Sequence, residues 1–531
     1  MPVERGRFDG MTTKLETSCG ACGEKFRSTY SSRRLAQNIP AAGEQGRKTA
    51  FEINRRMVAA AVDVGIGRNG LLRLCKMTGM PCLSKESYES NQKGFIRSLQ
   101  DVDETVLQHA AYVVRKVHRE LNSDIGKDDV INLMVSFDGS WLTRGRGGHS
   151  SLIGLGAVVE VITGLVIDYE VLSKYCHSCA LAENRFGADT LTVEFRNWHD
   201  KHEDCLKNYT GSSNGMEPKA AEILWQRSIA KHSFRYIQML SDGDSSTYSH
   251  VQRLNVYGND FPVLKEECVN HASKRLSTSL RNLRKREGLG GRGASRPTDS
   301  KIDKMAVHYG RAVRGKETVV KMQKTIMAIL NHSVSTDSAP EHSVCPDGED
   351  SWCFYNRALA KGETIPSHQG RVSTQISEQI FEAILPTFER LSEASLLGRC
   401  LDGKTLNSNE GLHSLVWNKC KKINFYGLER VRACVALAIS EFNSGTERTT
   451  DLVLEQGVGT YTGKVSTKIA KVLDRVRLKK SDKRDHDKDS HRRQSRHQAR
   501  LRAEQQHEAT EGGNIQKWGF LNRLDFLGRS N

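Results

Sequence analysis

The sequence predicts an α/β fold: a mixed sheet flanked by helices, with a large, mostly helical insertion, a helical N-terminal domain and disordered tails. Three observations predict it. Ile131 to Asp138, INLMVSFD, is an apolar, β-prone run that ends on a carboxylate, and FRYIQMLSD is a second such run, ending on Asp242. Between them lie two β-branched runs and a stretch with helical period. After Asp242, 410 − 242 = 168 positions pass before a third acid, Glu410, in TLNSNEGLHSLVWNKC, which reads as the opening of a helix.

At 531 residues the chain can build two or three domains with ample core. Its 37% hydrophobic and 27% charged residues are those of a soluble protein, and a mean hydropathy of −0.54 leaves room for polar tails. Lysine and arginine, 79, exceed aspartate and glutamate, 63, by 16, so a polyanionic partner is favoured over a membrane or an acidic small substrate. The opening residues, MPVERGRFDGMTTK, have no apolar h-region, so no secretory signal and no oxidising compartment are expected. Thirteen cysteines, several in Cys-x-x-Cys or Cys-x-x-His spacing, then favour metal binding over disulfides. The longest apolar stretch, Leu152 to Leu172, is broken by Glu160, Thr163, Gly164 and Asp168, so no membrane helix is expected.

In chain order, residues 1–50 are rich in glycine, serine and charge and read as a flexible arm; Cys19 and Cys22 make only half a zinc knuckle. Residues 51–125 turn helical. Met57, Ala60, Ala61 and Val64 share one face, GIGRNG breaks the pattern before LLRLCKMTGM, and SKESYES after Pro81 has the form of a capped helix start. Three short helices with several arginines fit a helix-turn-helix DNA-binding unit or a packing domain. Residues 126–250 form the first part of the core: the Asp138 strand, a hairpin from Leu152 to Ser173 turning at Thr163-Gly164, a helix from Met216 to His232, and the Asp242 strand. This is the order of a ribonuclease H-like fold, whose first and fourth strands lie side by side and bring their acids together.

Residues 251–400 then read as a helical insertion containing the basic run HASKRLSTSLRNLRKR, either a solvated face or a groove along a DNA backbone. Residues 401–450 supply the last core helices. The remainder, 451–531, is a basic, largely disordered tail whose KKSDKR and RRQSRHQARLR clusters fit nuclear import, nucleic-acid contact or simple solubility.

Three groups of side chains carry chemistry. Asp138, Asp242 and Glu410 offer hard oxygen ligands on fold-defining elements, the donor set that magnesium or manganese takes; Asp244 is the alternative second acid. Cys176 and Cys179, followed by His202 and Cys205, have the paired spacing of a structural zinc site, with His199 as a substitute ligand. Cys268 and His271 with Cys345 and Cys353, and His342 nearby, form a candidate second zinc group.

SFDGSW, VITGLVIDYEVLSKYCHSC, WHDKHEDC, GSSNGMEPKAA, LSDGDSSTY, ECVNHASKRL, CPDGEDSWCFY and NSNEGLHSLVWNKC together resemble the Mutator-like transposase domain of animal proteins of transposon origin, from about Phe51 to about Thr449. The resemblance implies an Asp-Asp-Glu triad, carried onto Asp138, Asp242 and Glu410. It also implies metal-dependent cleavage and strand transfer on double-stranded DNA at transposon ends and targets, in the nucleus, by a homo-oligomer. A domesticated, catalytically inactive DNA-binding protein is the alternative, and a resolvase-type nuclease would use the same metals.

Overall fold

The computed structural model describes residues 3–35, 50–143, 151–186, 192–242, 246–290, 295–315, 318–422, 424–458 and 462–486. In chain order it begins with β1 (Val3–Asp9), β2 (Thr12–Ser18) and β3 (Lys25–Tyr30), then α1 (Glu52–Asp63), α2 (Arg68–Thr78) and α3 (Lys85–Leu121). There follow β4 (Ile131–Trp141), β5 (Ile153–Glu160), β6 (Val166–Ser173), α4 (His177–Phe186), α5 (Val193–His199), α6 (Met216–His232) and β7 (Phe234–Ser241). Next come α7 (Ser246–Leu254), β8 (Leu264–Glu267), α8 (Val269–Arg286), α9 (Asp299–Val313), α10 (Val319–His332), α11 (Phe354–Lys361), α12 (Glu378–Leu391) and α13 (Ala394–Gly398). The described chain closes with α14 (Asn407–Lys419), α15 (Leu428–Leu452), a π-helical turn (Val453–Val458) and α16 (Lys464–His486).

Five strands make one mixed sheet in the order β6-β5-β4-β7-β8, with β5 and β6 antiparallel and β7 and β8 parallel. The chain divides into two compact units: Met1–Ile131, Gly139–Phe234 and Asn409–Asn531 form the first, Asn132–Asp138 and Arg235–Ser408 the second.

In the first unit, β1, β2 and β3 form an antiparallel sheet where the sequence reads as a flexible arm. Its strands are polar and carry no hydrophobic period, but the Asp9-Gly10 pair marks the hairpin. Gly10 has φ +64, and a Cβ there would come within 2.6 Å of Asn54, whose side chain clamps the turn through the Met11 N–H (2.9 Å) and the Asp9 carbonyl (3.1 Å). The buried face of α1 is Asn54, Val58, Ala61 and Val62, while Val64 is exposed, so the expected face is rotated by about one residue. Ser84 caps α3 by accepting the Ser87 N–H, as SKESYES predicts. That helix is long rather than short: 37 residues, with Tyr88, Asn91, Phe95, Leu99, Val102, Val106, Ala110 and Val114 buried at spacings of three and four.

The hairpin forms as expected, with Gly164 at φ +68 in its turn, and β5 is buried at all eight positions. Burial of alternate residues on both sides requires cover on both faces. Helices α6, α3 and α15 pack on this hairpin, and residues of α1, α3, β5, β6, α14 and α15 share one core. Asp168, fully buried on β6, is bridged by Arg227 (2.8 Å) and Lys231 (2.9 Å) of α6. Burial alone would raise its pKa; the nearby His232 and the hydrogen-bonded Arg227 outweigh that and hold it below the usual carboxylate range.

Within the tail expected from residue 451, the π-helical turn (Val453–Val458) and α16 (Lys464–His486) are helical. Helix α15 kinks at Gly445 (φ 83, ψ 170), and Asp474 of α16 accepts the Thr446 (2.7 Å) and Glu447 (3.0 Å) N–H groups that the kink exposes. The KKSDKR cluster falls at the end of α16, and the RRQSRHQARLR cluster lies outside the described residues.

The second unit holds β7, β8 and the helical insertion, whose core joins α8, α9, α10, α12 and α13. Three arginines of the basic run on α8 are taken by acids: Arg275 by Glu267 (2.6 Å), Arg284 by Asp299 (3.0 Å), and Arg281 by Asp299 (3.1 Å) and Asp303 (2.5 Å). Those three tie α8 to neighbouring elements. No helix among the described residues is long and apolar enough to cross a membrane.

Candidate functional site

Asp138 sits inside β4, not at its end, because the strand continues through Gly139 and Ser140 to Trp141. Its side chain is half-buried. Asp242 follows the last residue of β7, the strand beside β4, and is exposed. Asp244 lies outside the described residues. Glu410 is exposed in the first turn of α14.

Hydrogen bonds anchor the surroundings of each acid. Trp417 Nε1 of α14 donates to Ser140 Oγ (2.8 Å), two residues beyond Asp138, and Asn409 Nδ2 donates to the Ala157 carbonyl (3.2 Å) next to Glu410. In the second unit Asn270 Nδ2 donates to Asn407 Oδ1 (3.0 Å) at the start of α14, and His271 Nδ1 lies 3.1 Å from Asp242 Oδ1.

These contacts revise the expected second zinc group. Cys268 is buried with Leu240 and Leu406 and accepts the Leu406 N–H at 3.4 Å, while His271 faces Asp242, so neither joins the metal cluster. The Cys-x-x-His element instead fastens the start of α8 beside the second acid.

Two Cys/His clusters do assemble. In the first, ligand atoms of Cys176, Cys179, His202 and Cys205 lie within 4.8 Å of one another, with Cys176 Sγ 3.3 Å from His202 Nε2 and Cys179 Sγ 3.5 Å from Cys205 Sγ. Bonds of about 2.3 Å to sulfur and about 2.0 Å to nitrogen give tetrahedral edges of roughly 3.4–3.8 Å, close to these separations. Burial raises the Cys176 thiol, but hydrogen bonds, first from His202, outweigh it and bring it down to about 6; burial pushes Cys179 up to about 12. His199 is not a member, its ring lying on Phe195 at 5.9 Å. Past Cys205, Asn208 binds both Ser173 and Val171 of β6, so the cluster closes a segment stitched to the hairpin.

In the second cluster Cys345 and Cys353 meet His342 and His332, all four buried and within 4.8 Å, an arrangement that can hold a structural metal such as zinc. His332 was not legible as a ligand because it ends α10 in a helical pattern; the signal is its place ten residues before His342 in a stretch ending Cys-x7-Cys.

No curated protein matches the chain. A family model described as Mutator-like transposase matches residues 1–353, about two thirds of the 531. The match takes in the N-terminal sheet, Asp138, Asp242, the first Cys/His cluster and all four members of the second; Glu410 lies beyond it. With that much of its length accounted for, the chain belongs to the Mutator-like transposase family.

Proposed function

We propose that the protein is a DNA transposase of the Asp-Asp-Glu type, with a ribonuclease H-like core, that cuts double-stranded DNA at transposon ends and joins it to a target. The observation that carries this reading is the placement of two carboxylates, Asp138 and Asp242, on neighbouring strands within the family-matched part of the chain. The strand order, with the first and fourth core strands adjacent, supports the same fold. Asp138, Asp242 and Glu410 present oxygen donors only, the set that suits magnesium or manganese. When bound, such ions neutralise charge developing on a phosphodiester and activate its nucleophile.

The chain's own part is to hold these acids in place. His271 beside Asp242 restricts that carboxylate's orientation, and Trp417 on Ser140 fixes α14 against the strand that carries Asp138. Family membership supports a DNA partner, and the +16 net charge supports contacts with its phosphates. A nuclear site of action and a homo-oligomer that pairs two ends complete the reading.

The test is magnesium- or manganese-dependent nicking and strand transfer on DNA bearing the element's own ends. Asp138→Asn, Asp242→Asn and Glu410→Gln should each lower the rate roughly 100-fold or more, and combining them should cost little further, because the three act as a unit. Folding and DNA binding should stay near normal. Asp138→Asn cutting as well as the parent would remove that residue from the triad. A parent that binds matched ends and never cuts them is instead a domesticated DNA-binding protein, the second reading.

A further inference from the structure

We infer that His332, His342, Cys345 and Cys353 form a closed structural zinc site, whose ligand His342 is oriented by a hydrogen-bonded chain running through His368 to Asp337. This does not rest on the transposase reading.

The distances are those of a tetrahedron. His332 Nδ1 is 3.2 Å from His342 Nδ1, Cys345 Sγ is 3.6 Å and 3.9 Å from those two nitrogens, and Cys353 Sγ is 3.4 Å from His342 Nδ1. Zinc bonds of about 2.0 Å to nitrogen and about 2.3 Å to sulfur require edges of roughly 3.3–3.8 Å. All four ligands are buried, so no position is left open for substrate, which is the mark of a structural site.

The polar groups behind His342 have one direction. His342 Nε2 is 2.9 Å from His368 Nε2, and Ser335 Oγ is 2.9 Å from each. On its other side His368 Nδ1 is 2.7 Å from Asp337 Oδ1, which also accepts the His368 N–H. A carboxylate only accepts, so a neutral His368 carries its proton on Nδ1 and offers Nε2 as an acceptor. His342 must then donate from Nε2, which leaves the lone pair on Nδ1, the atom facing His332 and both cysteines. A carboxylate that fixes the tautomer of a ligating histidine through its outer nitrogen is the recurrent second layer of zinc sites. Here the layer is one histidine longer.

The chain around the site is held mostly by polar contacts, among them Asn356 Nδ2 donating to the His342 and Cys345 carbonyls (3.3 Å each). Between the end of α10 and the start of α11, NHSVSTDSAPEHSVCPDGEDSWC contains few apolar residues and no regular element. Its local apolar cluster is only Ala328, Cys345 and Cys353, with Val344 and Tyr355 partly buried beside it. Four metal bonds would add to that cohesion. Tyr355 stacks on His342 at 4.3 Å, and Trp352 and Phe354 pack edge-on against His332, so aromatic rings flank the two histidine ligands.

The experiment is zinc analysis of the full chain, with chelator competition and cobalt substitution. Cys345→Ser, Cys353→Ser should hold one equivalent of zinc fewer than the parent, and the cobalt spectrum should lose a Cys2His2 component while keeping a Cys3His one. Asp337→Asn leaves every ligand in place and should fold; its zinc dissociation constant at this site should rise about 10–100-fold. Unchanged zinc content in the double cysteine variant would overturn the site. If that variant does not fold, the Asp337→Asn titration decides, and an affinity equal to the parent's would overturn the oriented chain.

Discussion

His413 follows Glu410 by one helical turn and is buried, and burial lowers its pKa to about 4. The ordinary value is about 6.5, so the unfolded chain takes up a proton that the folded chain refuses. Stability from this residue is therefore complete above about pH 6.5 and is lost as pH falls through about 4, by up to about 3 kcal/mol. Denaturant unfolding at pH 7 and pH 4.5 should show that loss in the parent and a smaller one in His413→Gln, which cannot titrate; equal losses would assign the acid sensitivity elsewhere. Single residues were legible where their chemistry is short-range. Cys176, Cys179, His202 and Cys205 could be grouped from spacing alone, because two turns of chain bring each pair together. Cys268 could not be separated from Cys345 in this way, since only the fold shows that Leu406 and Asp242 are the neighbours of the Cys-x-x-His element.

Elements were legible in proportion to their apolar content. The β5–β6 hairpin and α6 stand out in the sequence because β-branched and helical periods are strong there, and the structure forms both. Strands β1, β2, β3 and β8 are short, polar or charged, and hydrophobic pattern passes over them; β1, β3 and β8 lie at sheet edges, where charge resists further pairing. The segment of α4 and α5 is a third kind, held less by apolar packing than by its Cys/His cluster and by Asn208 on β6. Zinc bound there would contribute directly to folding. Replacing Cys176 and Cys205 by serine should remove one zinc by elemental analysis and make the 174–209 segment the first site of limited proteolysis. Equal zinc content in variant and parent would show that the cluster is only a set of buried thiols.

At the scale of the whole molecule, the family match ends at Cys353, but the first unit does not. Leu412, Val416, Leu428, Val431, Val435 and Ile439, all beyond the match, belong to the same core as Phe95, Leu99, Ile153 and Val166. A fragment of residues 1–353 should therefore be insoluble or bind a hydrophobic dye strongly, whereas residues 1–486 should unfold cooperatively by calorimetry. A soluble, cooperatively folding 1–353 fragment would show that the later helices are dispensable. The same shared core sets a timetable for synthesis. The hairpin is complete at Ser173, yet its cover from Leu412 onward emerges 412 − 173 = 239 residues later, which at about 5–20 residues per second is roughly 10–50 s. For that interval a strand destined to be buried on both faces waits half-dressed at the ribosome, while the insertion, whose core is drawn from Val269 to Cys400, can close on its own. The helical insertion thus separates the nascent chain into a part that folds as it appears and a part that must be kept from sticking until α14 and α15 have emerged.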